Sequence, residues 1–262
     1  MGARIRANAR VIAALGARSI KQTFRRPQLI APIIVFPSLL LAVQTGGAGR
    51  AVDLPGFPHV NGFLDFMLAG AMVQSTLLAG NSGGIALAVD IEMGFTDRLM
   101  AAPISRFSMV LGRLAGTAAL GFFSACYYIA VGLIFGAQIE EGVAGALMMI
   151  AFVTLSAIAF GGIAASIALR SGSASVVQGM FPMVFVVLFL STAFFPDNLM
   201  LEPAATIAQY NPLSFIVNGI RDPVISAFSG PDIGKAFISI IGIGVLSLGL
   251  SALALRRRLR DG

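Results

Sequence analysis

Tryptophan is absent from this 262-residue chain, cysteine and histidine occur once each, and Asp, Glu, Lys and Arg together make up 11%. One cysteine, Cys126, leaves no disulfide and no cysteine-based metal site to be built within a single chain. The one histidine, His59, stands between Pro58 and Val60, outside any long apolar run. The run Gly80, Asn81, Ser82, Gly83, Gly84 superficially resembles a serine-hydrolase nucleophile turn. A serine nucleophile needs a positioned base, and Ser82 lies inside an apolar run that His59 is outside, so hydrolysis within the membrane is only a remote alternative. Neither lysine, Lys21 or Lys235, belongs to a Gly-Lys-Ser or Gly-Lys-Thr loop, which excludes ATP binding by that motif. The scarcity of charge excludes water as the main solvent.

What the chain does contain is apolar residues in blocks of roughly 18 to 27, the length a tilted helix needs to cross a hydrocarbon core. Strands of a membrane barrel would read instead as roughly ten-residue stretches of alternating polarity. The blocks predict six transmembrane helices near residues 28–44, 63–89, 109–135, 143–169, 176–195 and 234–255. The expected fold is an all-α membrane protein made of one domain. Residues 1–27 form an interfacial helix, 28–255 the bundle and 256–262 a basic tail. Orientation follows from the cations. Arg4, Arg6, Arg10, Arg18, Lys21, Arg25, Arg26, Arg98, Arg106, Arg113, Arg170, Arg256, Arg257, Arg258 and Arg260 fall on one side, and only Arg50, Arg221 and Lys235 on the other. Both termini are therefore expected in the cytoplasm.

The basic stretch at the start is too long for the n-region of a signal peptide, and no clear cleavage site follows it, so it is read as retained. At about 100° per residue, Ile5, Ala9, Ile12, Leu15, Gly16, Ser19, Ile20 and Thr23 share one arc, and Arg6, Arg10, Arg18, Lys21 and Arg25 the opposite one. That pattern describes a helix lying along the inner membrane surface. Its positive charge is placed beside apolar blocks, where anionic lipid is a nearer partner than nucleic acid.

Pairs of small residues at helical spacing, Gly80 with Gly84, Gly112 with Gly116 and Gly132 with Gly136, predict close helix packing. No acidic residue falls near the middle of a span, which argues against a proton- or sodium-coupled carrier. The polar residues at depth are uncharged. Gln74, Ser75, Thr76, Asn81 and Ser82 lie in the second span, Ser124, Tyr127 and Tyr128 in the third, and Gln178 in the fifth. Interhelical hydrogen bonding explains them, and Gln74, Asn81, Ser82, Tyr127 and Gln178 are also the candidates for a substrate path.

Between the second and third spans run Glu92, Met93, Gly94, Phe95, Thr96, Asp97, Arg98, Leu99, Met100, Ala101, Ala102, Pro103, Ile104, Ser105 and Arg106, followed by Leu111, Gly112 and Arg113. A second stretch runs from Asn211 and Pro212 through Arg221. Together they resemble the two motifs of the ABC type-2 exporter permease family, and the layout of the whole chain is similar to its daunorubicin-resistance-like bacterial members. The resemblance implies that the connector is a coupling helix docking into an ATPase subunit, with Glu92, Gly94, Phe95, Arg98, Leu99, Pro103 and Arg106 as its residues. In isolation, Phe95 and Leu99 read as apolar side chains offered to a groove. The resemblance also implies short re-entrant helices between the fifth and sixth spans, an outer cap to which Asn211, Pro212 and Arg221 belong. Glu202-Pro203-Ala204-Ala205 departs from the Pro followed by an aromatic or Leu expected there.

The implied protein is a multi-pass permease of a bacterial plasma membrane and not itself an enzyme. No cofactor is expected on this chain, and Mg-ATP belongs to a dimeric partner ATPase. A second permease copy, identical or related, completes it. With no Trp and only Tyr127, Tyr128 and Tyr210 to stack sugars, a hydrophobic or amphiphilic cargo, drug-like or lipid, is expected. A non-transporting scaffold driven by the same ATPase is the alternative, and small outer loops offer it little docking area.

Overall fold

The computed structural model describes residues 2–100, 106–226 and 228–261, and every regular element among them is helical. Helix α1 spans Gly2–Phe24, and α2, Pro27–Ala48, opens with a proline at its first position, where no N–H is needed. Two further prolines lie inside α2, Pro32 and Pro37. Pro37 cannot donate to the carbonyl of Ile33, and the Tyr128 hydroxyl, reaching in from a neighbouring helix, donates to it at 3.1 Å. Such repair from outside is what lets proline persist in a helix surrounded by hydrocarbon.

The central helix is α3, Phe63–Glu92, which packs against α2, α5 (Arg106–Ile134) and α6 (Gly142–Ser171). Almost all of its length is buried, whereas the other long helices present much of theirs outward. Small side chains make this possible: Gly80 lies against the backbone of Phe160 and Gly161, and Gly84 against Ala164. Gly112 and Gly116 likewise admit a helix, but the helix is α1, whose Leu15 and Ser19 rest on them. The amphipathic segment is thus fastened to α5 along its small-residue face. The third expected pair is a correction. Gly132 meets Leu68, but Gly136 has φ of +93° and sits in the turn that ends α5, a conformation only glycine takes easily.

Among the described residues, five helices, α2, α3, α5, α6 and α11 (Gly230–Asp261), are long and apolar enough to cross a membrane. The expected fifth span is instead two short helices, α7, Ala174–Gly179, and α8, Phe181–Phe189. The cause is local. Gly179 is a poor helix former, and Pro182 can offer no N–H to the carbonyl of Gln178, with which its ring would clash in an unbroken helix. Between α8 and α11 come α9, Ala204–Tyr210, and α10, Pro212–Ile225, the short helices expected of the cap. Helix α10 packs against α3, α6 and α11 rather than lying outside them. Helix α11 continues through the basic tail without a break.

Candidate functional site

Helix α3 ends where Gly94 takes φ of +67° and turns the chain into α4, Phe95–Met100. Just before that turn Asp90 accepts three hydrogen bonds, from Arg113 of α5 at 2.8 Å, Arg18 of α1 at 3.2 Å and Gln22 of α1 at 3.0 Å. Its carboxylate is 5% exposed, so the paired charges are shielded from water far more than a surface ion pair would be. The Arg18 guanidinium also lies 3.6 Å from the centre of the Phe95 ring, and Arg113 donates to the Thr96 hydroxyl at 3.1 Å. One carboxylate therefore joins α1, α3 and α5, and its two arginine partners also hold Phe95 and Thr96 of α4.

Of the seven expected coupling residues, Pro103 lies outside the described residues, and the side chains of Arg98 and Arg106 lie outside the described ones. Phe95, with Arg18 over its ring, and Leu99 are both half-buried; Met93, at the turn, is an exposed apolar side chain. Gly94 makes the turn. The Glu92 carboxylate reaches across to α7 and accepts the N–H of Ala174 at 2.8 Å.

The five path residues do not converge. Asn81 alone lines a cavity of about 280 Å³ walled by α3, α6, α7, α8, α10 and α11, and it is the one polar side chain among the lining residues. Two of the others, Val187 and Leu246, are themselves exposed, so the cavity opens onto the apolar flank of the bundle. Gln74, two turns away on the same face of α3, is 1% exposed and its Nε2 has no hydrogen-bond partner. Ser82 turns instead to α2 and donates to the Leu29 carbonyl at 3.0 Å. Tyr127 is paired with Ser38 at 3.3 Å, and Gln178 is exposed. Among the described residues, no group of three His, Cys, Asp or Glu side chains could hold a metal ion.

At the far end of α3 the cap is held by two residues. Asn211 accepts the N–H of Leu213 at 2.9 Å, capping α10 with Pro212 at its first turn. Its amide nitrogen donates to the carbonyls of Val187 and Leu190 at 2.8 and 2.9 Å, which ties α10 to the end of α8. Arg221 is 5% exposed and has no carboxylate partner among the described residues. It donates instead to the carbonyls of Phe66 at 3.1 Å and Thr192 at 2.8 Å and to the Asn218 side chain at 3.2 Å, with its guanidinium over the Phe66 ring. The sequence assigns it to the outer cap, and in the fold it is buried there and bonded to carbonyls of two other segments.

Asp90 is the residue that sequence reasoning missed. It falls one position beyond the predicted end of the second span, where an acid looks like ordinary boundary charge. The available signal was its company: Arg18 and Gln22 are four apart on one face of the surface helix.

A family model described as ABC-2 type transporter matches residues 10–224. A relative from Porphyra purpurea, named as a transport permease, ycf38, is 28% identical over 215 residues, 80% of this chain and 72% of its own length. Another ycf38, from Pyropia yezoensis, is 26% identical over 213 residues, with the same coverage. A Mycobacterium tuberculosis relative, named as the doxorubicin resistance ABC transporter permease protein DrrC, is 23% identical over 225 residues, 82% of this chain and 79% of its own.

Proposed function

This chain belongs to the ABC-2 type transporter family as a membrane permease, and we propose that it exports an apolar or amphiphilic compound, drug-like or lipid, using ATP hydrolysed on a separate subunit. Two permease copies work with a dimeric ATPase that grips the connector between α3 and α5 and carries the Mg-ATP. The basic end of the bundle faces the cytoplasm of a bacterial cell, which places the connector within reach of that ATPase.

The observation that carries this reading is the lateral cavity. Its wall is apolar except for Asn81, it opens on the flank that lipid or a second copy covers, and its volume of about 280 Å³ admits one acyl tail or a small ring system. A charged solute would meet no counter-charge there. The name of the mycobacterial relative, a doxorubicin resistance permease, supports a drug-like cargo for this chain. Helix α3, which lines the cavity, runs directly into the connector, and α7, which also lines it, is bonded to Glu92 at the end of α3, so movement of the connector reaches the cavity wall.

The test is reconstitution of the permease with its ATPase in vesicles. Efflux of a fluorescent amphiphile, or transfer of a labelled lipid, is expected only with hydrolysable ATP and both subunits. Movement at the full rate without ATP, or a permease with no affinity for any ATP-binding cassette subunit, would remove the proposal.

A further inference from the structure

We propose that α7 and α8 form a two-part wall of the cavity, in which Glu92 positions α7 on the connector and Asn211 positions α8 on the cap. Helix α7 belongs to the connector end of α3. Val177 is 1% exposed and packs in one cluster with Leu87, Ala88 and Ile91, and the Glu92 carboxylate, two residues before the Gly94 turn, accepts the first N–H of α7.

Helix α8 is held elsewhere. Its last turn gives the carbonyls of Val187 and Leu190 to Asn211, at the head of α10, and Arg221 of α10 is fastened to Phe66 at the opposite end of α3. Between the two attachments lies the break, which is written into the covalent structure because Pro182 has no N–H for the Gln178 carbonyl. Met180, at the break itself, and Val184, in α8, both line the cavity.

An unbroken helix would transmit displacement of one end to the other. A broken one with its halves held at opposite ends of α3 lets the width at the break change when α3 tilts and its two ends move in different directions. Motion of the connector therefore alters the cavity at Met180 while the Val187 side stays with the cap. In this arrangement Glu92 acts through α7, whose first N–H its Oε1 accepts.

The transport readout of this inference rests on the exporter reading; its mechanical readout does not. Glu92→Gln keeps an oxygen that can accept the Ala174 N–H, and Glu92→Ala keeps none. In the full permease–ATPase complex, Glu92→Ala is expected to raise hydrogen exchange at the amides of residues 174–179 about tenfold. It should also lower ATP-driven efflux about fivefold, with Glu92→Gln within about twofold of the parent in both measurements. If Glu92→Gln falls as far as Glu92→Ala, the negative charge acts in docking and the tether is overturned. Unchanged exchange in Glu92→Ala overturns it whatever happens to transport. A parent complex without ATP-driven efflux defeats the exporter reading alone, and the exchange comparison still decides the tether.

Discussion

Asp90 and Arg221 solve the problem of a buried charge in opposite ways. Asp90 is neutralised by cations from two other helices, while Arg221 is surrounded by carbonyl oxygens whose partial charges spread the compensation. Removing one partner of a buried pair leaves the other uncompensated, a loss of about 3 to 5 kcal/mol. The Arg18 side chain is 42% exposed, so its share is that of a surface pair, at most about 1 kcal/mol. Thermal unfolding in detergent should therefore rank the losses as Asp90→Asn and Arg113→Ala together, well above Arg18→Ala. Equal losses from all three would show that Asp90 is not the centre of the junction. The sequence made Arg113 visible as a basic residue beside the connector, but not its pairing with Asp90, which lies on a different helix 23 positions earlier.

At the scale of elements, small residues decide which helices touch. A Cβ at Gly80 would lie 2.9 Å from the Gly161 nitrogen and from the Phe160 Cβ, and neither side can yield without parting α3 from α6. Gly80→Val is expected to destabilise by about 1 to 3 kcal/mol or to prevent a monodisperse preparation. Gly46→Ala, in open space, should change neither. A normal melting temperature and elution profile for Gly80→Val would contradict the packing described for α3. The Gly80 and Gly84 pair was readable because both fall at one helix spacing. The partition of the fifth segment was not, because mean hydropathy over an apolar window is blind to Gly179 and Pro182, whose effect is on backbone hydrogen bonds rather than on polarity. Of the polar candidates, helical spacing put Gln74 and Asn81 on one face. It could not tell that Ser82 meets a backbone carbonyl of α2, since that depends on where α2 lies.

For the whole molecule, orientation and assembly are open to direct measurement. Met93, in the connector, is 68% exposed, and Leu201, before α9, is 85% exposed. With Cys126 replaced by alanine, an impermeant maleimide is expected to label Leu201→Cys on intact cells and Met93→Cys only after permeabilisation; the reverse pattern would invert the proposed topology and remove the ATPase from reach of the connector. The sequence alone determined the solvent, the helical class and the motifs flanking the connector and the cap, because span length, charge placement and Gly or Pro positions are local properties of the chain. Tertiary structure decided which polar residues reach the cavity, that Phe95 lies under Arg18, that Arg221 is internal and that Asp90 joins α1, α3 and α5. Each of these depends on contacts between segments far apart in the chain, and no local pattern specifies the partner.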